Sequence, residues 1–336
     1  SWLVRGLDFP RVQFFWVAAV LLSLTPTVSA MPLTLAIPLC VVALLCGLVH
    51  ARYLFPFSPL ANKEVPDAPA STGESSMRLM IANVLMVNEN SESLLAAVRC
   101  HRPDVLLTLE TNRRWEEELA DLAEPYPYRV AEPLDNLYGM HLFSRLPLVE
   151  VETRFLVEDD VPSIHTLIEL PSGATVRAHF LHPAPPSPTE NDSSEERDTE
   201  LTLVAKSLEE DDLPVVVAGD LNDVSWSRNI ALFKRISGLG DVRVGRGLHS
   251  TFNAKYRLLR WPLDHLFVSS HFQCSHLRRI SIRGSDHFAL LAQIVLRSEN
   301  EIQSSTESLS AHDKKDVAET LKPQDANVSD VPEPDQ

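Results

Sequence analysis

Six places in this 336-residue chain set groups that bind cations or phosphate at the edge of an apolar run. "RLMIANVL" stops on Asn83 and "PDVLLTLE" on Glu110; "RAHFLHP" ends on His182 before a proline, and "VVVAGDLN" on Asp220 and Asn222. "RWPLDHLFV" puts Asp264 and His265 at the start of such a run, and "IRGSDHFALL" puts Asp286 and His287 just ahead of another. Acids, amides and imidazoles are the donors that grip a metal, a water or a phosphate. Each ending alone has a plainer account. Asp and Asn end strands in turns because their side chains bond nearby backbone N–H groups, and Glu110 precedes "TNRRWEEEL", where an acid suits a helix N-terminus. Six together exceed what a structural protein needs. The sharpest pair is Asp220 and Asn222, which project the same way for as long as the strand stays extended.

The elements that must position these groups follow from hydrophobic spacing. Residues 77–82 and 104–109 are short apolar runs, and Leu94, Leu95 and Val98 between them have helical spacing. Strands are expected at 142–143, 149–155, 164–170 and 175–181, with turn signals such as "PSG" between them. A helix at 200–208, a strand at 215–219, a helix at 229–236 and strands at 263–268, 274–282 and 289–296 complete the series. Many strands with a few helices between them predict an α/β fold, a sandwich of two packed sheets flanked by helices.

The ends of the chain read differently. Residues 12–30 and 33–51 are nearly uncharged and apolar, each near the ~20 residues that cross a hydrocarbon core as a helix. With a short break at Ser29–Pro32 they predict a transmembrane hairpin over 1–55; the second run argues against a secretory signal peptide, although "TVSA" has small residues near a cleavage position. Ser1 in place of a starting Met leaves room for an upstream segment. Arg5, Arg11, Arg52 and Lys63 flank the runs, which points to a multi-pass protein of the cell membrane with its following domain on the cytoplasmic side. Residues 56–76, rich in Pro, Ser and Ala, read as a linker, 77–297 as the globular domain, and 298–336 as a disordered acidic tail. Only Cys100 and Cys274 lie outside the apolar runs, so there is no disulfide framework. The net charge of −16 is concentrated: the tail and the segment 190–200 ("ENDSSEERDTE") carry −12 of it. The fold itself is close to balanced, and no basic stripe for tight duplex binding is present.

The order and type of the six endings resemble the endonuclease/exonuclease/phosphatase superfamily across the whole of 77–296. The most specific pieces are "GDLN" for the family's Gly-Asp-x-Asn, "LDHLFV" for its Asp beside an apolar strand, and "GSDHFAL" for its terminal Ser-Asp-His. "TLE", "YGMHLFSRLPL" and "HFLHP" fall in the right order. The resemblance implies a four-layer α/β sandwich and hydrolysis of a phosphoester assisted by Mg2+ or Mn2+, whose hard charge suits oxygen ligands. It places Glu110 as the direct metal ligand, Asn83 beside it and Asp286 as a further contact, direct or through water. Asp220 would orient or deprotonate the attacking water, Asn222 would hold a phosphate oxygen, and His287 and His182 would flank the phosphate. Asp264 would accept the ring N–H of His287 and fix its tautomer. Tyr138 and His141 fall where relatives place phosphate or acid-orienting groups, and His265 is expected to be structural. Two departures weaken the case for a second metal: Leu85 stands where an amide or acid is usual, and Leu109 where Gln is frequent. The expected partner is a phosphoester, either nucleic acid or a phospholipid or inositol-type headgroup; the rival reading is a non-catalytic binding relative of the fold.

Overall fold

The computed structural model describes residues 6–25, 31–69, 73–185, 195–209, 212–297 and 328–332. Two six-stranded sheets pack face to face. The first contains β1 (Ser76–Asn83), β2 (Val105–Leu109), β3 (Tyr128–Glu132), β4 (Met140–Ser144), β11 (Phe272–Ser281) and β12 (Phe288–Leu296), in the order β11-β12-β1-β2-β4-β3. The second contains β5 (Leu148–Arg154), β6 (Ser163–Glu169), β7 (Thr175–Leu181), β8 (Val215–Asp220), β9 (Gly240–Asp241) and β10 (Asp264–Val268), in the order β5-β6-β7-β8-β10-β9. Each sheet holds one parallel pair, β1 with β2 and β7 with β8, and every other pairing is antiparallel.

The central strands read as unbroken apolar runs because both of their faces are covered. Leu79, Ile81 and Leu107 turn inward to meet Phe180, Val216, Ala218 and Leu266 of the facing sheet. Their neighbours Met80, Ala82 and Leu106 turn outward, under α3 (Ser91–His101) and Trp115 of α4 (Arg113–Glu118). On the other side Val215, Val217 and Phe267 are covered by α5 (Glu195–Ser207) and α6 (Arg228–Ser237). The helices start where their caps stand. Asn90 accepts from the Ser93 N–H, Asn112 from Trp115 and Ser227 from Ile230, and Gly238 ends α6 in the left-handed region that glycine favours.

Three differences from the sequence expectation have physical causes. The expected linker is tied down through 56–69. Pro56 O accepts from Gly245 N, Val65 is buried under β9, and Glu64 takes both the Asp241 N–H and Lys234 Nζ. The helix expected at 200–208 begins earlier, inside the acidic segment: 195–200 is the first half of α5, and Arg197, Asp198, Thr199 and Glu200 are buried. Residues 190–194 lie outside the described ones. Of the tail expected to be disordered, 328–332 packs on the second sheet, with Val331 buried and Pro332 O accepting from Arg177.

At the N-terminus, α1 (Arg11–Leu24) and α2 (Leu33–Leu54) pack on each other through small residues, with Ala18 Cβ 3.6 Å from where a Cβ on Gly47 would stand. With the turn Phe55–Phe57 that follows it, α2 makes one continuous helix of 25 residues, long and apolar enough to cross a membrane. The described part of α1 has 14 residues, about 21 Å at 1.5 Å per residue. The break between the two expected spans falls on 26–30, outside the described residues.

Candidate active site

The two parallel strand pairs end at the same edge of the sandwich, and the polar endings gather there. Register does this. Asp264 pairs directly with Asp220 across the β10–β8 ladder, and Asn83, last residue of β1, pairs with Leu109, so Glu110 follows immediately beside it. One chain of contacts then crosses from sheet to sheet. Glu110 Oε1 accepts from Asn83 Nδ2 (2.7 Å), and the same amide donates to Asp220 Oδ2 (3.1 Å). His287 Nε2 lies 3.6 Å from that carboxylate oxygen, while its Nδ1 lies 2.8 Å from Asp264 Oδ2.

Backbone geometry is fitted to this cluster. Gly219 has φ +151°, and a Cβ there would stand 1.8 Å from Leu181 O, so the glycine of "GDLN" permits close approach to β7. Glu110 (φ 57°) and Asn222 (φ 50°) occupy the left-handed region without being glycine, a conformation that surrounding structure must hold in place. The turn at Asn222 ends the extended geometry, so Asp220 and Asn222 do not continue in parallel. Asp220 Oδ1 accepts the Asn222 N–H (3.0 Å), and Asn222 Nδ2 donates to Pro183 O (3.0 Å), which ties the residue after His182 to the β8 turn. "GDLN" is therefore a turn, and it sets Asp220 in contact with Asn83.

The charges follow from burial. Burial raises the Glu110 carboxyl to about 7, opposed by the Asn83 hydrogen bond and reinforced by Asp220 and Asp286. Burial by itself would lower the His287 imidazole, but Asp264 and Asp220 outweigh it and lift it to about 10. For Asp220 the cations win in the same way: burial would raise it, and His287 and His182 hold it below the ordinary carboxylate value. His182, 2 % exposed, is lowered by burial, which Asp220 partly offsets; its Nδ1 has no partner among the described residues, and its ring lies 5.5 Å from that of Tyr138.

Asp286 Oδ1 is also buried without a partner among the described residues, beside the raised Glu110. Three carboxylates, Glu110, Asp220 and Asp286, thus share a corner with one orphaned oxygen. This is a cation deficit, and the hard oxygen donors fit Mg2+ or Mn2+. Asp220, Asp264 and His287 also bring ligand atoms within 4.8 Å of one another, but His287 Nδ1 and Asp264 Oδ2 are already bonded to each other, which suits proton handling better than a metal. The sequence candidate His141 sits apart, and so does His265, which the sequence left as structural. His141 is engaged by Thr111 Oγ1 (2.7 Å) and stacks on Phe143; His265 stacks on Phe267 and meets Asp223 O (2.8 Å).

Supporting groups had little local signal. Thr251 Oγ1 accepts from the Leu263 and Asp264 N–H groups, and buried Arg243 donates to Asp264 O and to Ser225 Oγ. Ser285, within the "GSDH" motif, donates to Asn83 O (2.8 Å) and accepts the His287 N–H (2.9 Å), joining two of the six endings. Arg197 pairs with Asp198 and Asp223 and donates to Asn222 O (2.9 Å).

Known proteins share this architecture. Residues 80–287 match the model of the Endonuclease/Exonuclease/phosphatase family. A solved structure of D. rerio TDP2 in complex with a single-strand DNA product superposes with a TM-score of 0.56 at 20% identity, covering 66% of this chain and 99% of that one. The catalytic domain of human Nocturnin with bound sulfate gives 0.54 at 16% identity, covering 66% and 95%. An endonuclease/exonuclease/phosphatase family protein from Bacteroides thetaiotaomicron gives 0.54 at 18%, covering 66% and 98%. No curated protein sequence matches the chain.

Proposed function

The chain belongs to the endonuclease/exonuclease/phosphatase family, and from that premise we propose that it is a divalent-metal-dependent phosphoesterase that hydrolyses phosphodiester bonds while held in a membrane by its N-terminal helices. The family premise carries hydrolysis of phosphoester bonds; the contact chain from Glu110 through Asn83 and Asp220 to His287 and Asp264 carries the proposed mechanism. Glu110 and Asp286 would hold Mg2+ or Mn2+ with Asn83 alongside, and the metal when bound supplies charge neutralisation at the phosphate. Asp220, kept ionised by its neighbours, accepts a proton from the attacking water. His287, held protonated by two carboxylates, donates to the phosphate oxygens on which charge develops; Asp264 fixes its ring. His182 faces the phosphate from the β7 side, and Asn222 ties the His182–Pro183 turn to Asp220.

The test is a substrate panel: the protein with Mg2+ or Mn2+ on plasmid, single-stranded DNA, RNA, phospholipid vesicles and a chromogenic diester. Hydrolysis of any of these that chelator abolishes supports the reading; no hydrolysis, or hydrolysis indifferent to chelator, overturns it. A nucleic-acid substrate is favoured by the DNA product in the TDP2 relative. A phospholipid headgroup is favoured by the packing of the helix roots beside the site, where Phe9 O accepts from Trp261, whose ring stacks on Phe252.

A further inference from the structure

Between β9 and β10 the chain runs through "NAKYRLLRW", residues 253–261. Tyr256, Leu258 and Leu259 are 59%, 85% and 47% exposed. Lys255 and Arg257 are exposed on either side of Tyr256, and the stretch contains no acid. Single exposed apolar residues need no explanation, but three within four residues, interleaved with cations, form a patch.

This patch sits at the root of the two apolar helices. Leu258 O accepts from Gln13 Nε2 (2.6 Å), in the first turn of α1. Trp261 donates its indole N–H to Phe9 O (2.6 Å) and meets the Phe9 ring edge-on at 5.9 Å; Trp226 donates to Asp8 O (2.7 Å). Phe9, Val12 and Leu54 pack into the same cluster as Trp226 and Leu263. The outward apolar side of α1 and α2 therefore continues into the loop, with tryptophans at the junction, where amphipathic rings favour a membrane–water boundary.

We propose that residues 253–261 dock on an anionic lipid bilayer beside the anchoring helices, a proposal that rests on the reading of those helices as membrane-embedded. Tyr256, Leu258 and Leu259 enter the headgroup–acyl boundary, and Lys255 and Arg257 meet lipid phosphates. The loop is joined to the site itself. Ala254 N donates to Asp286 O (2.6 Å), and the Phe252 ring lies 4.9 Å from that of His287. Docking therefore brings the headgroup layer to within a few side chains of His287, and makes a lipid-borne phosphoester the substrate this placement serves.

The experiment uses the full chain in nanodiscs of phosphatidylcholine and phosphatidylglycerol whose acyl chains carry a nitroxide near the headgroup. An NBD fluorophore is attached through Leu258→Cys, in a background with Cys40→Ala, Cys46→Ala and Cys100→Ser. Two controls carry it through Val42→Cys, on the outer side of α2, and Tyr128→Cys, on the edge strand β3 across the sheet from β12. The expected result is blue-shifted emission at 258, quenched roughly twofold or more beyond the 128 control. It should also be quenched less in discs of phosphatidylcholine alone. Quenching at 42 with none at 258 overturns the loop docking while the anchor stands; no quenching at 42 overturns the anchor and the docking with it. Equal quenching at 258 in neutral and anionic discs overturns the anionic preference.

Discussion

Asp220 and Asp264 are direct neighbours across the β8–β10 ladder, and His287, which arrives from the other sheet, touches both. Two buried carboxylates side by side repel, and each would be driven toward its neutral form without a cation between them. The imidazolium of His287 is that cation, raised to about 10 by the pair it neutralises. Removing any member of the trio changes the charge of the other two.

The first consequence is non-additivity. Asp264→Asn replaces the acceptor of the His287 Nδ1–H with a group that can present its amide instead, as in other carboxylate–imidazole pairs. Loss of activity by about 10²–10⁴-fold is expected, the range for positioned acid–base or electrostatic help. Asp264→Asn combined with His287→Ala should be little worse than His287→Ala alone, because groups acting as a unit do not add. The measurement is kcat/KM for the four members of the cycle, with circular dichroism on each. Losses that multiply would show two independent residues.

Glu110→Gln separates the metal from the fold. The substitution keeps volume and removes a buried carboxylate that already lies near neutrality, so thermal stability without metal should be unchanged or slightly higher. Stabilisation by added Mn2+ should shrink, since a ligand that binds only the folded state raises Tm by an amount that grows with the logarithm of its affinity. Turnover should fall with it. A variant with the full Mn2+-dependent Tm shift would remove Glu110 from the metal site.

Arg197→Ala should be costly although the residue holds none of the proposed catalytic roles. It would leave Asp198 and Asp223 buried with their shared cation gone, a change of about 3–5 kcal/mol when one partner of a buried ion pair is removed. It would also release Asn222 O and with it the turn that follows Asp220. Urea denaturation measures the first effect. Loss below about 1 kcal/mol, the range of an exposed pair, would mean the network is not buried in solution.

What was legible in the sequence depended on whether the signal was local. Strands β1, β2, β7, β8, β10 and β12 are buried on both faces, so each reads as an apolar run whatever it pairs with. Their polar endings were visible for the same reason. The pairing of Asp264 with Asp220 was not, because register is a contact between residues 44 apart in sequence. Nor was the divergence of Asp220 and Asn222, which needs the positive φ at Asn222. Composition misled twice. Acids in 195–200 hid the first turns of α5, yet Arg197 neutralises Asp198 within the fold; Pro and Ser in 56–69 suggested a linker, yet Glu64 and Val65 fasten it to β9. Thr251 and Arg243 support Asp264 from loops with no periodicity to announce them.

The last prediction concerns acid stability and a second pair of histidines, remote from the site. His165 and His179 face each other across β6 and β7 with their Nδ1 atoms 2.6 Å apart, and Ser163 Oγ lies 2.8 Å from His165 Nε2. Burial holds His165 down to about 3, with Arg177 and Arg154 adding to it, and holds His179 well below the ordinary value, with His165 and Arg177 adding to it. Nδ1 to Nδ1 allows one N–H between them, so the pair is folded only while at least one ring is neutral at that atom. In the unfolded chain both titrate near 6.5. Below that pH the unfolded state binds more protons than the folded one, so stability rises with pH there and falls as pH drops from about 6.5 toward 3. The slope is at most about 1.4 kcal/mol per pH unit for each histidine. Urea midpoints at pH 7, 6, 5 and 4.5 (about half-unit spacing at the acid end suffices) should show this decline, and His179→Gln should flatten it, since one titrating group is gone and the amide can still bond His165. An unchanged slope in the variant would place the acid sensitivity elsewhere, with buried His265 as the next group to replace.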